Sequence, residues 1–277
     1  MRNLPGVANR KLRYFVFVLI AIGFTSCSDD DDDVDVVIPQ PTGTINVEDQ
    51  TLSGNILEVT SVTVSTISWL VVKKVNEDGS FTDIIASPVL IQTGTMNDID
   101  MELKNITADD YEIEDGDTLA LMLHADDGDG VFEYQGNVAQ DMPIRDAAGN
   151  VYTKTLVISS PSIEIEDQDV EDNTITFTNV YTKKTGWIVV YNSTATGTID
   201  INEIIGYSYL EEGDNTDVVV SFDDTFTFTP GQTVFTRIHL DIPDDEEFTF
   251  IENFETDWPE IFGFGADPTI TESVIIN

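Results

Sequence analysis

The sequence predicts an all-β protein: two tandem immunoglobulin-like β-sandwich domains that follow a short apolar leader and an acidic tether. Three observations carry this. Segments of the chain recur in order at an offset of 115 to 118 residues. The recurring segments are rich in Thr, Val and Ile and show period-two alternation. No stretch after residue 27 keeps a 3.6-residue apolar period over three turns.

The repeat is read from matched pieces. Thr44-Ile45-Asn46-Val47-Glu48-Asp49-Gln50 answers Ser162-Ile163-Glu164-Ile165-Glu166-Asp167-Gln168, and Ser68-Trp69-Leu70-Val71-Val72 answers Gly186-Trp187-Ile188-Val189-Val190. Leu121-Met122-Leu123-His124-Ala125-Asp126 answers Thr236-Arg237-Ile238-His239-Leu240-Asp241, and the strand Thr153 to Ser159 answers Thr271 to Asn277. A period this long means two domains rather than a solenoid. The expected boundaries are 44–160 and 161–277. Pro161 marks a short linker and hence a semi-rigid pair. Within each copy, Thr174-Ile175-Thr176-Phe177-Thr178 and Thr225-Phe226-Thr227-Phe228-Thr229 alternate, while Trp187 to Tyr191 is a continuous apolar run that suits a strand buried on both faces. Turn pairs such as Asp78-Gly79, Asp115-Gly116 and Asp127-Gly128 punctuate the strands. Six to eight short strands in about 117 residues fit a sandwich large enough to fold without disulfides. Trp69 and Trp187 are expected to be the core aromatics of the central strands.

The first 27 residues read as an address. Arg2, Arg10, Lys11 and Arg13 form a positive start, and Tyr14 to Phe24 is an apolar stretch of 11 residues. That is shorter than the roughly 20 residues of a membrane-crossing helix. It suits a secretory leader. Phe24-Thr25-Ser26-Cys27 resembles a bacterial lipoprotein box, with Phe where Leu is commonest. The resemblance implies that Cys27, the only cysteine, is lipidated and becomes the mature N-terminus. The acidic run Asp29 to Asp33 within the tether 28–43 resembles the export signal of Bacteroidota surface lipoproteins. It implies an outer-membrane protein, anchored through lipid and facing the cell exterior.

Composition narrows function by exclusion. The 277 residues carry 12 Lys+Arg against 52 Asp+Glu, a net charge of −40. Four of the basic residues and none of the acidic ones lie in 1–27, which leaves 8 against 52, or −44, after cleavage. Such a chain repels nucleic acid and anionic membrane surfaces. One Cys excludes an internal disulfide and a thiolate zinc site, and two His leave little for histidine catalysis.

Copy one also resembles an uncharacterised β-domain family of archaeal and bacterial surface proteins, domain-of-unknown-function family 7282. The residues that carry the resemblance are Ser68 to Val72, Leu121 to Asp126, and Gly130-Val131-Phe132-Glu133-Tyr134-Gln135-Gly136 through Asp141-Met142-Pro143. Copy two keeps the Trp and His-x-Asp pieces. The resemblance implies location and fold and brings no activity.

Candidate chemistry is confined to acids, histidines and aromatics. Asp126, Asp127, Asp129 and Glu133, and in copy two Asp241, Asp244 and Asp245, offer hard oxygens that suit calcium, although the spacing is not that of an EF-hand. The alternative is a solvated acidic hairpin built on Asp-Gly turns. No other cofactor is expected. His124 with Asp126, and His239 with Asp241, are the only candidates for an acid–base pair, and no nucleophile motif accompanies them. Tyr134, Tyr207, Tyr209 and Trp258 could stack on a glycan. The expected role is therefore a non-catalytic binding, adhesion or structural protein with a surface protein or glycan as partner. The alternatives are a glycan-binding accessory lipoprotein of a polysaccharide-uptake system and, third, a hydrolase using paired carboxylates.

Overall fold

The computed structural model describes residues 39–104, 112–134, 140–170, 172–222 and 226–277. The leader, Cys27 and tether residues 28–38 lie outside the described residues. Residues Gln40–Asn277 form one compact unit. It is built from strands alone, with no helix among the described residues.

Repeat 1 contains β1 (Gly43–Asn46), β2 (Gln50–Thr51), β3 (Ile56–Val64), β4 (Ser68–Val75), β5 (Phe81–Ile84), β6 (Val89–Ile91), β7 (Gly94–Glu102), β8 (Thr118–Ala125) and β9 (Thr153–Ser159). The order β1-β3-β7 makes one sheet, and β2-β9-β8-β4-β5 makes the other, with β6 also on β4. Repeat 2 contains β10 (Ser162–Glu164), β11 (Thr174–Thr182), β12 (Gly186–Ser193), β13 (Ile199–Leu210), β14 (Gly213–Ser221), β15 (Gln232–Leu240) and β16 (Thr271–Ile276). Its sheets are β10-β11-β14 and β13-β12-β15-β16. Pairing is antiparallel except that β2 runs parallel to β9. Repeat 1 exceeds the expected strand count because two very short pieces, β2 and β6, dock on sheet edges.

Each repeat encloses its own core between its two sheets. In repeat 1, Leu57, Val59 and Val62 of β3 face Leu70 and Val72 of β4 and Leu121 of β8. In repeat 2, Ile175 and Phe177 of β11 face Ile188 and Val190 of β12 and Ile238 of β15. The alternation read from the sequence sets these faces, because successive strand side chains point to opposite sides.

The central strands are buried on their outer faces too, as the continuous apolar run Trp187 to Tyr191 predicts, and Trp69 and Trp187 are core aromatics of these strands as expected. Trp187, Val189 and Tyr191 belong to a second cluster with Tyr209, Phe235 and Phe248, on the side of β12 away from Ile188 and Val190. Trp187 lies on the outer face of its sheet, covered by Tyr207 and Tyr209 of β13 and by Phe248 of the loop after β15. Trp69 is equally buried and meets Phe132 edge-on at 5.9 Å. Alternation dictates this: with Ile188 inward, Trp187 must point outward.

The duplication extends to side-chain bonds. Gln50 pairs with the backbone of Glu58 through both ends of its amide, donating to the carbonyl at 2.9 Å and accepting from the N–H at 2.9 Å. Gln168 does the same to Thr176 at 3.0 and 2.8 Å. Asp49 accepts the Val157 N–H at 2.7 Å, and Asp167 accepts that of Ile275 at 2.8 Å. The repeated Glu-Asp-Gln is therefore a device that caps one strand and pins the next.

Candidate functional site

Two regions concentrate polar chemistry: the acidic loop after the histidine strand of each repeat, and the junction where the repeats meet.

In repeat 1 the loop after β8 gathers Asp126, Asp127 and Asp129, with one carboxylate oxygen from each lying within 4.8 Å of the others. Three of the six oxygens in this trio already accept hydrogen bonds. Asp126 takes the Trp69 indole N–H at 3.1 Å, the Gly128 N–H at 3.1 Å and the Gly130 N–H at 3.2 Å. Asp129 takes the Val131 N–H at 2.8 Å. Glu133 stands apart and binds the Gln140 amide at 2.6 Å. Calcium asks for six to eight oxygens, so three partly committed carboxylates are a thin set. In repeat 2 the predicted acids bond to groups of their own loop and of its neighbour. Asp241 accepts the N–H of Asp245 and of Glu246, Asp244 accepts the Thr185 hydroxyl at 3.1 Å, and Asp245 accepts the Glu247 N–H at 3.0 Å. Among the described residues, no second trio of acids comes together as in repeat 1.

The histidines are not paired with the expected acids. His124 Nδ1 bonds the Asp141 carbonyl at 2.8 Å, and His239 Nδ1 bonds the Asp257 carbonyl. Both rings are buried, and burial pushes His124 below the ordinary imidazole value and His239 down to about 4. His239 Nε2 meets the Tyr191 hydroxyl at 2.6 Å. At the matching place repeat 1 has Lys73, whose ammonium donates to the Thr82 carbonyl at 3.1 Å, and His124 Nε2 has no partner among the described residues.

The residues that hold these loops, Asp141 and Asp257, escaped the sequence reading. Both are buried and both have positive φ, at 44° and 45°. The Asp141 carboxylate accepts the N–H of Asp127 at 3.3 Å and of Glu133 at 2.6 Å. That of Asp257 accepts the N–H of Ile242 at 2.9 Å and both the N–H and hydroxyl of Thr249, at 2.6 and 2.9 Å. The signal was present as a second Asp-x-Pro: Asp141-Met142-Pro143 recurs as Asp257-Trp258-Pro259, with Pro143 and Pro259 bridging to His124 and His239. Each acidic loop is thus folded round an internal carboxylate.

The junction of the repeats is built by a tight turn. Gly54 and Asn55 both take left-handed φ, 60° and 59°, in the loop that Ile56 N–H closes on the Ser53 carbonyl at 3.0 Å. This turn reaches into repeat 2. The Ser53 hydroxyl and Gly54 N–H donate to the two oxygens of Glu260 at 2.7 and 2.6 Å. Asn55 exchanges two bonds with the backbone of Gly263, at 2.8 and 3.0 Å. Glu260 is fully buried, and burial raises its pKa although three donors oppose the rise. Beside this clamp lies a cleft of about 660 Å³, lined in part by Ile56, Lys184, Thr185, Asp244 and Trp258.

The predicted aromatics do not form one platform. Tyr207 and Tyr209 pack on Trp187, Tyr134 packs on His124 in the other repeat at 4.6 Å, and Trp258 opens into the cleft.

These features define the class, a two-domain protein of tandem β-sandwiches with a sealed junction. The family model described as Domain of unknown function (DUF7282) matches residues 43–159 and again 161–271, and the chain belongs to that family. No curated protein matches the chain. Among solved structures it is similar to a chaperone–tip adhesin complex of CFA/I fimbriae at 12% identity, covering 85% of this chain and 100% of that one with a TM-score of 0.25. It is also similar to a bacterial adhesin from Mobiluncus mulieris at 10% identity, covering 86% and 99% with a TM-score of 0.23. The calcium binding domain CBD12 of CALX1.1 matches at 12% identity, 85% and 100% coverage and a TM-score of 0.22.

Proposed function

We propose that the protein is a lipid-anchored, surface-displayed module that binds or builds rather than catalyses. The observation that carries this reading is the junction clamp: Glu260, Asn55 and the Ser53–Gly54 turn hold two sandwiches as one compact unit. A rigid pair of sandwiches on a long acidic tether suits the presentation of a binding surface away from a membrane. The histidines support the same reading, since both are buried and bonded to backbone carbonyls of their own loops. The Asp241 carboxylate accepts the N–H groups of Asp245 and Glu246 and so serves to hold its own loop.

Anchoring rests on the leader and on Cys27. It is tested by labelling cells with alkyne-tagged palmitate and by shaving intact cells with proteinase K. The expected result is a labelled protein that the protease removes, with no label in Cys27→Ala. A soluble, unlabelled chain in the medium would overturn the anchoring, and a labelled but protease-resistant one would overturn the outward orientation.

A further inference from the structure

The junction cleft has an unusual composition for this chain. Of the three tryptophans, Trp69 and Trp187 recur in both repeats and are buried, at 9% and 6% exposure. Trp258 stands where repeat 1 has Met142, and it is 44% exposed with its indole in the cleft. Ile56, Pro259 and Ile261 extend the apolar wall around it. Polar groups stand on the same lining. Lys184 is one of few cations in the chain; its charge is felt by the buried Glu260, but it makes no salt bridge or side-chain hydrogen bond among the described residues. Glu212 and Asp244 bring carboxylates, of which Asp244 uses one oxygen on Thr185. The volume, about 660 Å³, falls in the range of roughly 300–1,000 Å³ typical of small-ligand sites.

A ligand must suit an ammonium with free donors and carboxylates with free lone pairs at once while covering an aromatic face. A cation would meet Lys184. An anion would meet Glu212, Asp244 and a chain of net charge −40. A hydroxyl-rich neutral molecule does both, because each hydroxyl donates and accepts, and its apolar ring faces pack on an indole. We propose that the cleft binds a short neutral oligosaccharide, stacked on Trp258 and hydrogen-bonded between Lys184 and the carboxylates of Asp244 and Glu212. The inference rests on the binding reading above and is independent of anchoring.

The test uses the mature lipoprotein in a zwitterionic detergent without a sugar headgroup. It is titrated calorimetrically and by indole fluorescence with maltotriose, cellotriose, mannotriose and xylotriose, and with trigalacturonate and trilysine as charged arms. The expected result is saturable binding of a neutral trisaccharide, weakened about tenfold or more in Trp258→Ala, the cost of a central aromatic contact. Binding is expected to survive in Trp258→Phe and Tyr207→Ala, to weaken in Lys184→Met, and to leave melting temperatures close to wild type. Absence of binding by every neutral trisaccharide overturns the proposal, as does preference for a charged arm or unchanged affinity in Trp258→Ala. Cleavage of a bound trisaccharide would uphold the cleft and overturn the non-catalytic reading, which separates the two.

Discussion

At the scale of single residues, the molecule uses buried polar groups as internal fasteners. His239 is the clearest case: it sits between the Asp257 carbonyl and the Tyr191 hydroxyl, with no exposed surface. Burial holds its pKa at about 4 against an ordinary 6.5, with the neighbouring Arg237 adding to the shift and the Asp257 carbonyl opposing it. The folded chain therefore keeps His239 neutral where the unfolded chain protonates it. Its contribution is present in full above pH 6.5 and is lost as pH falls from there towards 4. Over that window the loss amounts to about 3 kcal/mol, at 1.36 kcal/mol per unit. Urea denaturation between pH 7 and 4 should show this slope in wild type and a flatter one in His239→Asn, whatever the absolute stability of the variant. Glu260 works in the opposite sense, since its raised pKa favours the folded state as pH falls, so the comparison with the variant is what isolates the histidine.

At the scale of elements, strands were legible and loops were not, for a physical reason. Strand identity is written in side-chain period and in repetition, so β11, β12, β15 and β16 could be placed from Ile175, Trp187, His239 and the terminal apolar run. Trp187 is a core aromatic of a central strand as expected, and only which face of the sheet it covers was not written in the period. A loop's geometry is set instead by which N–H groups its carboxylates capture, and spacing alone does not say. Asp126, Asp127 and Asp129 are gathered as their spacing suggested, whereas Asp244 is diverted to Thr185 and Asp245 to the turn at Glu247. Asp141 and Asp257 were hidden because their role depends on burial and on a positive φ, although the repeated Asp-x-Pro marked them. The loop bonds also bear on calcium. Asp126 already accepts from Trp69, Gly128 and Gly130, and three carboxylates fall short of the six to eight oxygens that calcium takes, so a cation gains mainly by screening. Calcium and sodium at matched ionic strength are thus expected to raise the melting temperature alike, and EDTA to leave it unchanged. A calcium-specific rise that vanishes in Asp127→Asn with Asp129→Asn would instead establish a site in the hairpin.

At the scale of the whole molecule, two forces oppose each other across the junction. Both repeats are strongly acidic, with 8 basic against 46 acidic residues over 44–277, which pushes them apart, and salt screens that repulsion only partly at a contact this short. Against it stand the bonds from the Ser53–Gly54–Asn55 turn to Glu260 and Gly263. The Lys183–Glu58 pair, at 3.6 Å and half exposed, adds little. Glu260 is the part of the clamp with most at stake, because its carboxylate satisfies Ser53, Gly54 and its own neighbour Ile261 in a site closed to water. Removing it leaves those donors without a partner, at about 1–3 kcal/mol for each that stays buried. The cores are largely separate, with Phe262 and Phe264 of repeat 2 packed on that of repeat 1 as an apolar contact beside the clamp, so the cost falls on their coupling more than on either fold. Scanning calorimetry of wild type is expected to give one cooperative transition. Glu260→Ala should give two, the lower displaced downward and recovering as sodium chloride is raised, because screening weakens the repulsion that the clamp no longer resists. A single transition shifted uniformly in the variant would mean that the repeats are coupled elsewhere, and that the turn at Ser53 rests on repeat 2 without holding it.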